Sequence, residues 1–158
     1  MQTYHSLLLL LTIGLFATNP VAANATESSR ALDVMKVATV TKMYQQDVDN
    51  EGMDNPVVLE QYANQDLKSA MQLERAYFDK NQMSCNVDYD VLWDSQDPDY
   101  TQDKKFSMTD KGLVQVSLAQ GSDIYYELSC DEAECRVADV ILDESGKSLR
   151  QHFLENCR

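Results

Sequence analysis

The residues of this chain best equipped for chemistry are four cysteines, Cys85, Cys130, Cys135 and Cys157, and an unusual density of carboxylates. Cys130 and Cys135 flank Asp131-Glu132-Ala133-Glu134, a four-residue connection between two strand-like segments. Residues placed this way across a hairpin loop lie opposite each other, within disulfide reach when they form a non-hydrogen-bonded pair. A metal half-site is the competing chemistry, but structural zinc favours closer pairs and needs a second one. A redox-type C-x-x-C pair is absent from the sequence. Cys85 and Cys157 then make the second pair, one of the three connectivities that four cysteines allow. No metal and no other cofactor is expected.

The carboxylates of Asp94, Asp97, Asp99 and Asp103 fall in one polar stretch around Pro98. They lack the glycine and the bidentate glutamate of a calcium loop, so a solvated connection is the plainer reading. Loops held on a rigid sheet are also where recognition sits, and Tyr100 adds an amphipathic anchor in the middle of the stretch. With only Lys104 and Lys105 close by, the charge is left for a basic partner. The protein-binding surface expected is therefore Asp94, Asp97, Asp99, Tyr100 and Asp103, with Trp93 in the buried phase of the preceding segment.

Little here could run catalysis, and the chain reads as a non-enzyme. His152 is the one histidine after residue 25, and no serine or cysteine nucleophile context accompanies it. Asp139 could face inward from a strand, and Tyr89 and Tyr126 are further polar groups within apolar strand patterns. These three are the weak signs of a small-ligand or enzymatic pocket on the concave face of a sheet. The Asn24-Ala25-Thr26 sequon straddles an expected cleavage site and carries no meaning.

The elements that would position these groups follow from periodicity. Glu27 to Asp49 reads as a helix with Leu32, Val37, Val40 and Tyr44 on one stripe, ended by Asn50-Glu51-Gly52. Asn55-Pro56 then looks like cap and first turn of a second helix reaching about Lys80, with Leu59, Ala63, Leu67, Ala70, Leu73 and Tyr77 on one face. From Cys85 the period becomes two, and Val87, Tyr89, Val91 and Trp93 alternate with polar positions as in a half-buried strand. Further strands are expected over Phe106–Thr109, Leu113–Leu118, Ile124–Ser129 and Arg136–Leu142, then a short helix containing Leu149 and Phe153 after Ser145 or Ser148. Helices first and a strand meander after them predict an α+β fold: two N-terminal helices packed on a curved antiparallel sheet of four to five strands, with a short C-terminal helix.

Two features bound the setting. Residues 6 to 16 form an apolar run ended by Pro20, and Ala23-Asn24-Ala25 supplies the small residues of a signal-peptidase site, although no Lys or Arg precedes the run. The expected organisation is a signal peptide over residues 1–25 and a single domain over 26–158, released free into the periplasm or secreted, because no cysteine follows the apolar run to carry a lipid. The formal net charge of −13 disfavours nucleic acid, which needs a basic face. Self-repulsion favours a monomer, and a basic protein is the natural complement.

Three short stretches carry a resemblance: Val91-Leu92-Trp93-Asp94-Ser95-Gln96-Asp97-Pro98 with Gln102-Asp103 beyond it, Arg136-Val137-Ala138-Asp139-Val140, and Gly146-Lys147-Ser148-Leu149-Arg150. In these the chain resembles small exported bacterial proteins of a domain family without an assigned function, some of them lipoproteins. The resemblance implies a cystatin-like (nuclear-transport-factor-2-like) fold and no catalytic residues. The four cysteines and the missing lipid-attachment cysteine depart from that pattern. Related periplasmic domains include immunity proteins that neutralise toxins from neighbouring bacteria. The reading favoured is a non-enzymatic binding domain, an immunity protein being one form of it, with the concave-face ligand site as the alternative.

Overall fold

One long helix and four antiparallel strands form the two layers of the molecule in a computed structural model, which describes residues 21–142 and 145–158. The expected signal segment, residues 1–25, lies outside them except for its last residues. Helix α1 (Val21–Asp49) crosses the inner face of the sheet and touches all four strands. It does so through Val40, Met43 and Tyr44, all buried, which recur at the three-to-four-residue spacing of one helix face. Leu32, expected on that stripe, is an exposed residue. The helix ends at Asp49 as anticipated: Glu51 and Gly52 both take positive φ, and the Gly52 N–H reaches back 3.0 Å to the Asp47 carbonyl.

The second expected helix is two. α2 (Val58–Tyr62) and α3 (Gln65–Asn81) are separated by Ala63 and Asn64, both extended. The Asn55–Pro56 peptide is cis and stands outside the helix, so Asn55 is not its cap. Asn64 caps α3 instead, its side chain accepting from the Leu67 N–H at 2.9 Å. The break has a purpose in the sheet, since the Asn64 N–H donates to the Val137 carbonyl (2.8 Å) and Ala63 makes a parallel bridge to Val137. The apolar period survives it: Leu59, Ala63, Leu67 and Ala70 are all buried.

The strands are β1 (Lys104–Met108), β2 (Val114–Leu118), β3 (Asp123–Cys130) and β4 (Cys135–Ile141), paired in sequence order. Val114, Val116, Ile124, Tyr126, Leu128 and Val137 face α1. The register shifts between Glu127 and Leu128, a bulge that leaves Ala138 unpaired on β4. The outer edge of β4 is covered by Ala63 and, near its end, by a bridge from Ile141 to Ser148. Among the described residues β2 is the one strand paired with β1, which leaves the outer edge of β1 open. Helix α4 (Leu149–Asn156) closes the chain with Ser148 as cap, accepting from the Gln151 N–H at 3.2 Å.

The run from Cys85 to Trp93 is not a strand. The chain bends at Asn86, Asp88 and Tyr89 and then turns at Asp90, whose side chain accepts from the Leu92 N–H (2.8 Å). Asp90 and Ser95 form only an isolated bridge, and Asp94 takes a positive φ of 47°. Leu92, placed on the polar phase by alternation, is buried beside Trp93. The mixed helix and sheet architecture is α+β as expected, with four strands.

Both disulfides have the expected pairing. Cys130 and Cys135 are register partners with Cα atoms 4.0 Å apart, and Cys85 is joined to Cys157 across 72 residues with a Cα separation of 5.4 Å. The long one fastens the segment after α3 to the end of α4. Two disulfides fit an oxidising compartment. No helix among the described residues is long and apolar enough to cross a membrane.

Gly52 is required twice over, by its φ of +68° and because a Cβ there would run into the Tyr100 hydroxyl. Gly52→Ala should therefore cost about 1–3 kcal/mol of stability in urea unfolding, whereas an unchanged midpoint would mean that the helix end and Tyr100 move apart freely.

Candidate functional site

Trp93 is the pivot on which the acidic stretch is mounted. Its ring is wholly buried and meets Tyr44 and Tyr100 edge to face, each at 5.3 Å between centroids. Its indole N–H donates to Asp47 Oδ2 at 2.6 Å, and its carbonyl accepts from Gln120 Nε2 at 2.8 Å. Beneath it, Tyr44 gives its single hydroxyl proton to the Leu92 carbonyl (2.5 Å), so Tyr126 must be the donor in the 2.8 Å contact between the two tyrosines. Burial drives both phenols well above their ordinary range, so neither ionises and the network is fixed in this direction. Tyr126 is thus a core residue whose hydroxyl is already used.

From this anchor the loop runs outward. Asp94, Asp97, Asp99 and Asp103 are all exposed, while Tyr100 is half-buried between the Trp93 ring and Gly52. Tyr100 therefore holds the loop down rather than projecting from it. Asp99 Oδ1 accepts from both the Thr101 hydroxyl (2.6 Å) and the Thr101 N–H (2.9 Å), and these bonds lower its carboxyl below the usual range. The Asp97 N–H donates to Ser95 Oγ. Lys104 stands 5.2 Å over the Trp93 ring and donates to the Gln102 carbonyl. The ion pairs among the described residues are Arg75–Glu60, Arg136–Glu134 and Arg150–Asp139, none of them on this loop. The four carboxylates are thus exposed along one tethered loop, outside these ion pairs, with Lys104 near enough to help lower Asp99.

Asp47, the acceptor of the Trp93 indole, and Leu92 are among the lining residues of a cavity of about 190 Å³. Its walls are chiefly apolar, among them Val57, Leu59, Met71 and Phe153, and two carboxylates, Asp47 and Asp90, open onto it. Sequence reasoning missed both. Asp47 had a legible signal, since it continues the Val40–Tyr44 stripe of α1 and a carboxylate on an apolar helix face calls for a partner. Asp90 had none. Loss of solvation raises the Asp90 carboxyl, against the Leu92 N–H that lowers it, and the nearby Asp47 charge raises it further. Burial likewise raises Asp47, opposed by the Trp93 N–H.

A carboxyl raised on folding binds protons more tightly in the native state, so it opposes folding above its native pKa and that penalty fades as the pH falls. Asp90→Asn, which keeps the oxygen that accepts from Leu92, should therefore melt above the parent at neutral pH. The gain should shrink toward about pH 4, where the unfolded carboxyl also protonates. A pH-independent difference in thermal melts would remove the electrostatic cause.

The other candidates are committed to structure. Asp139 is 3 % exposed, but Oδ1 accepts from the Val140 and Arg150 N–H groups and Oδ2 from Arg150 Nε, which pins the start of α4 to β4. His152 is half-buried, with Nε2 2.9 Å from the Cys85 carbonyl and Nδ1 3.3 Å from Asn156 Nδ2. Tyr89 lines the cavity rim. No group of three or more His, Cys, Asp or Glu side chains among the described residues is placed to hold a metal ion. The concave face of the sheet is filled by α1, where Tyr44, Tyr126 and the strand valines pack together. Comparison with protein-family models, curated proteins and solved structures finds no match to this chain.

Proposed function

We propose that the protein is an exported, non-enzymatic binding domain, monomeric and without affinity for nucleic acid, that docks a basic protein through the loop from Asp94 to Asp103. An immunity protein that neutralises a cationic toxin or envelope enzyme in the periplasm is the form of this function that the charge and the disulfides favour. The observation that carries the reading is the mounting of the loop: Trp93, Tyr100 and Gln120 tether it, its four carboxylates are exposed, and none of the ion pairs among the described residues involves them. A pre-ordered acidic surface loses little entropy on docking, and its field speeds the encounter with a basic partner. The long helix lying across a four-stranded meander also supports assigning the fold to the cystatin-like group. The alternative, a ligand site on the concave sheet face, is weakened by the side chains that fill that face.

The test compares capture by the parent protein with capture by the D97N/D99N/D103N variant, using envelope extract at low and at raised salt. The parent should retain a basic protein that raised salt releases, and the variant should lose it while its melting temperature stays within the range of ordinary surface substitutions. With the captured protein purified, association should slow by about tenfold in the variant and its salt dependence should flatten. Equal capture by both would place recognition elsewhere.

A further inference from the structure

The cavity beside Trp93 has a composition that neither the loop nor the core explains. A pocket walled by aliphatic and aromatic carbon ordinarily excludes charge, yet this one has two carboxylates on its wall and no basic side chain among its lining residues. Asp47 is 4 % exposed. Asp47 Oδ2 is held by the Trp93 indole, and among the described residues no hydrogen bond holds its Oδ1; Asp90 Oδ1 is held by the Leu92 N–H, and the Trp93 N–H adds to the stabilisation of that carboxylate. The Asp47 charge helps raise the Asp90 carboxyl.

We propose that this cavity binds a primary alkylammonium group, the ammonium between Asp47 and Asp90 and the alkyl stem against Leu59, Met71 and Phe153. Three features select that chemistry. A hard divalent cation takes six or more oxygen ligands and would gain nothing from the apolar wall. A guanidinium prefers two oxygens of one carboxylate, and here each carboxylate has one already committed. An ammonium carries three rotatable donors and suits single oxygens from two directions. The volume of about 190 Å³ gives room for about six water-sized groups, enough for a stem of four or five carbons. Such a group is present in free amines and at the end of a lysine side chain.

The chain contains a single tryptophan, and its indole N–H is bonded to Asp47. The Trp93 indole resonance of nitrogen-15-labelled protein therefore reports occupancy without ambiguity. Titration with n-butylammonium chloride should give a saturable shift with a millimolar midpoint, and n-butanol and sodium n-butyrate should not. Asp90→Asn should weaken the amine by about tenfold while remaining folded. Val57→Lys, at an exposed residue of the rim, should place an ammonium in the site from the chain itself and abolish the response. Nα-acetyl-lysine methylamide distinguishes the sources: a midpoint at or below that of n-butylammonium assigns the site to a protein-borne lysine, and exclusion assigns it to free amines. A linear, non-saturating response to the amine, an equal response to n-butanol, or an unchanged midpoint in Asp90→Asn would each overturn the proposal. The D97N/D99N/D103N variant should titrate like the parent, so failure of the loop reading leaves this site standing.

Discussion

Replacing Cys85 and Cys157 together by alanine is expected to lower the stability of the fold by about 4 kcal/mol, a melting-temperature drop on the order of 15 °C. The bond closes a loop of 72 residues, and in the chain-entropy account the cost of losing a crosslink grows with the logarithm of the loop it closed. The same account assigns about 2 kcal/mol to the Cys130–Cys135 bond, which closes only five. The bulge register and the Asp131 N–H to Glu134 carbonyl bond hold that hairpin without it. Urea unfolding of the two paired variants against the parent measures both numbers, and an equal loss would show that strain or local packing, not chain entropy, sets the scale.

Trp93→Phe should be the most damaging conservative change in the core, costing about 2–4 kcal/mol. Phenylalanine keeps much of the apolar contact with Tyr44 and Tyr100 but cannot donate to Asp47. A carboxylate that is 4 % exposed would then have lost its one hydrogen bond. The double variant W93F/D47A should recover part of the loss, and a double-mutant cycle should return a coupling of about 1.5–3 kcal/mol. Additive effects would mean that water replaces the indole at no cost.

The same tryptophan marks where the sequence was legible and where it was not. Alternation in β2, β3 and β4 predicts their buried residues because each strand has a neighbour to complete its hydrogen bonds, so local pattern and tertiary pairing agree. Val87 to Trp93 shows the same alternation at its start and forms no strand, because period two reports which side of an extended chain is buried and not whether a partner exists. Asn55-Pro56 carried every sign of a helix start. Asn64 took the role because the Val137 carbonyl required an N–H at that point of the chain, a demand made from 73 residues away. Asn64-Gln65-Asp66, a polar triplet inside the apolar period, was the local sign of it. The acidic loop and both disulfides were readable because charge and cysteine number are properties of the sequence itself. The cavity was not, since Asp47 and Asp90 meet only when α1 and the turn after Cys85 are brought together.

The open edge of β1 has a consequence for how this molecule behaves in company. A strand with unpaired N–H and C=O groups along one side is a template on which another copy could extend the sheet. Here the strand carries one exposed charge, Lys105, which an incoming edge would have to accommodate. A net charge of −13 adds repulsion at longer range. Near the isoelectric point of about 4.3 that long-range repulsion is gone, and Lys105 is the exposed charge left on the edge strand. Acidification toward that point is therefore expected to lower the colloidal stability of the protein, and light scattering followed from neutral pH down to the isoelectric point checks it.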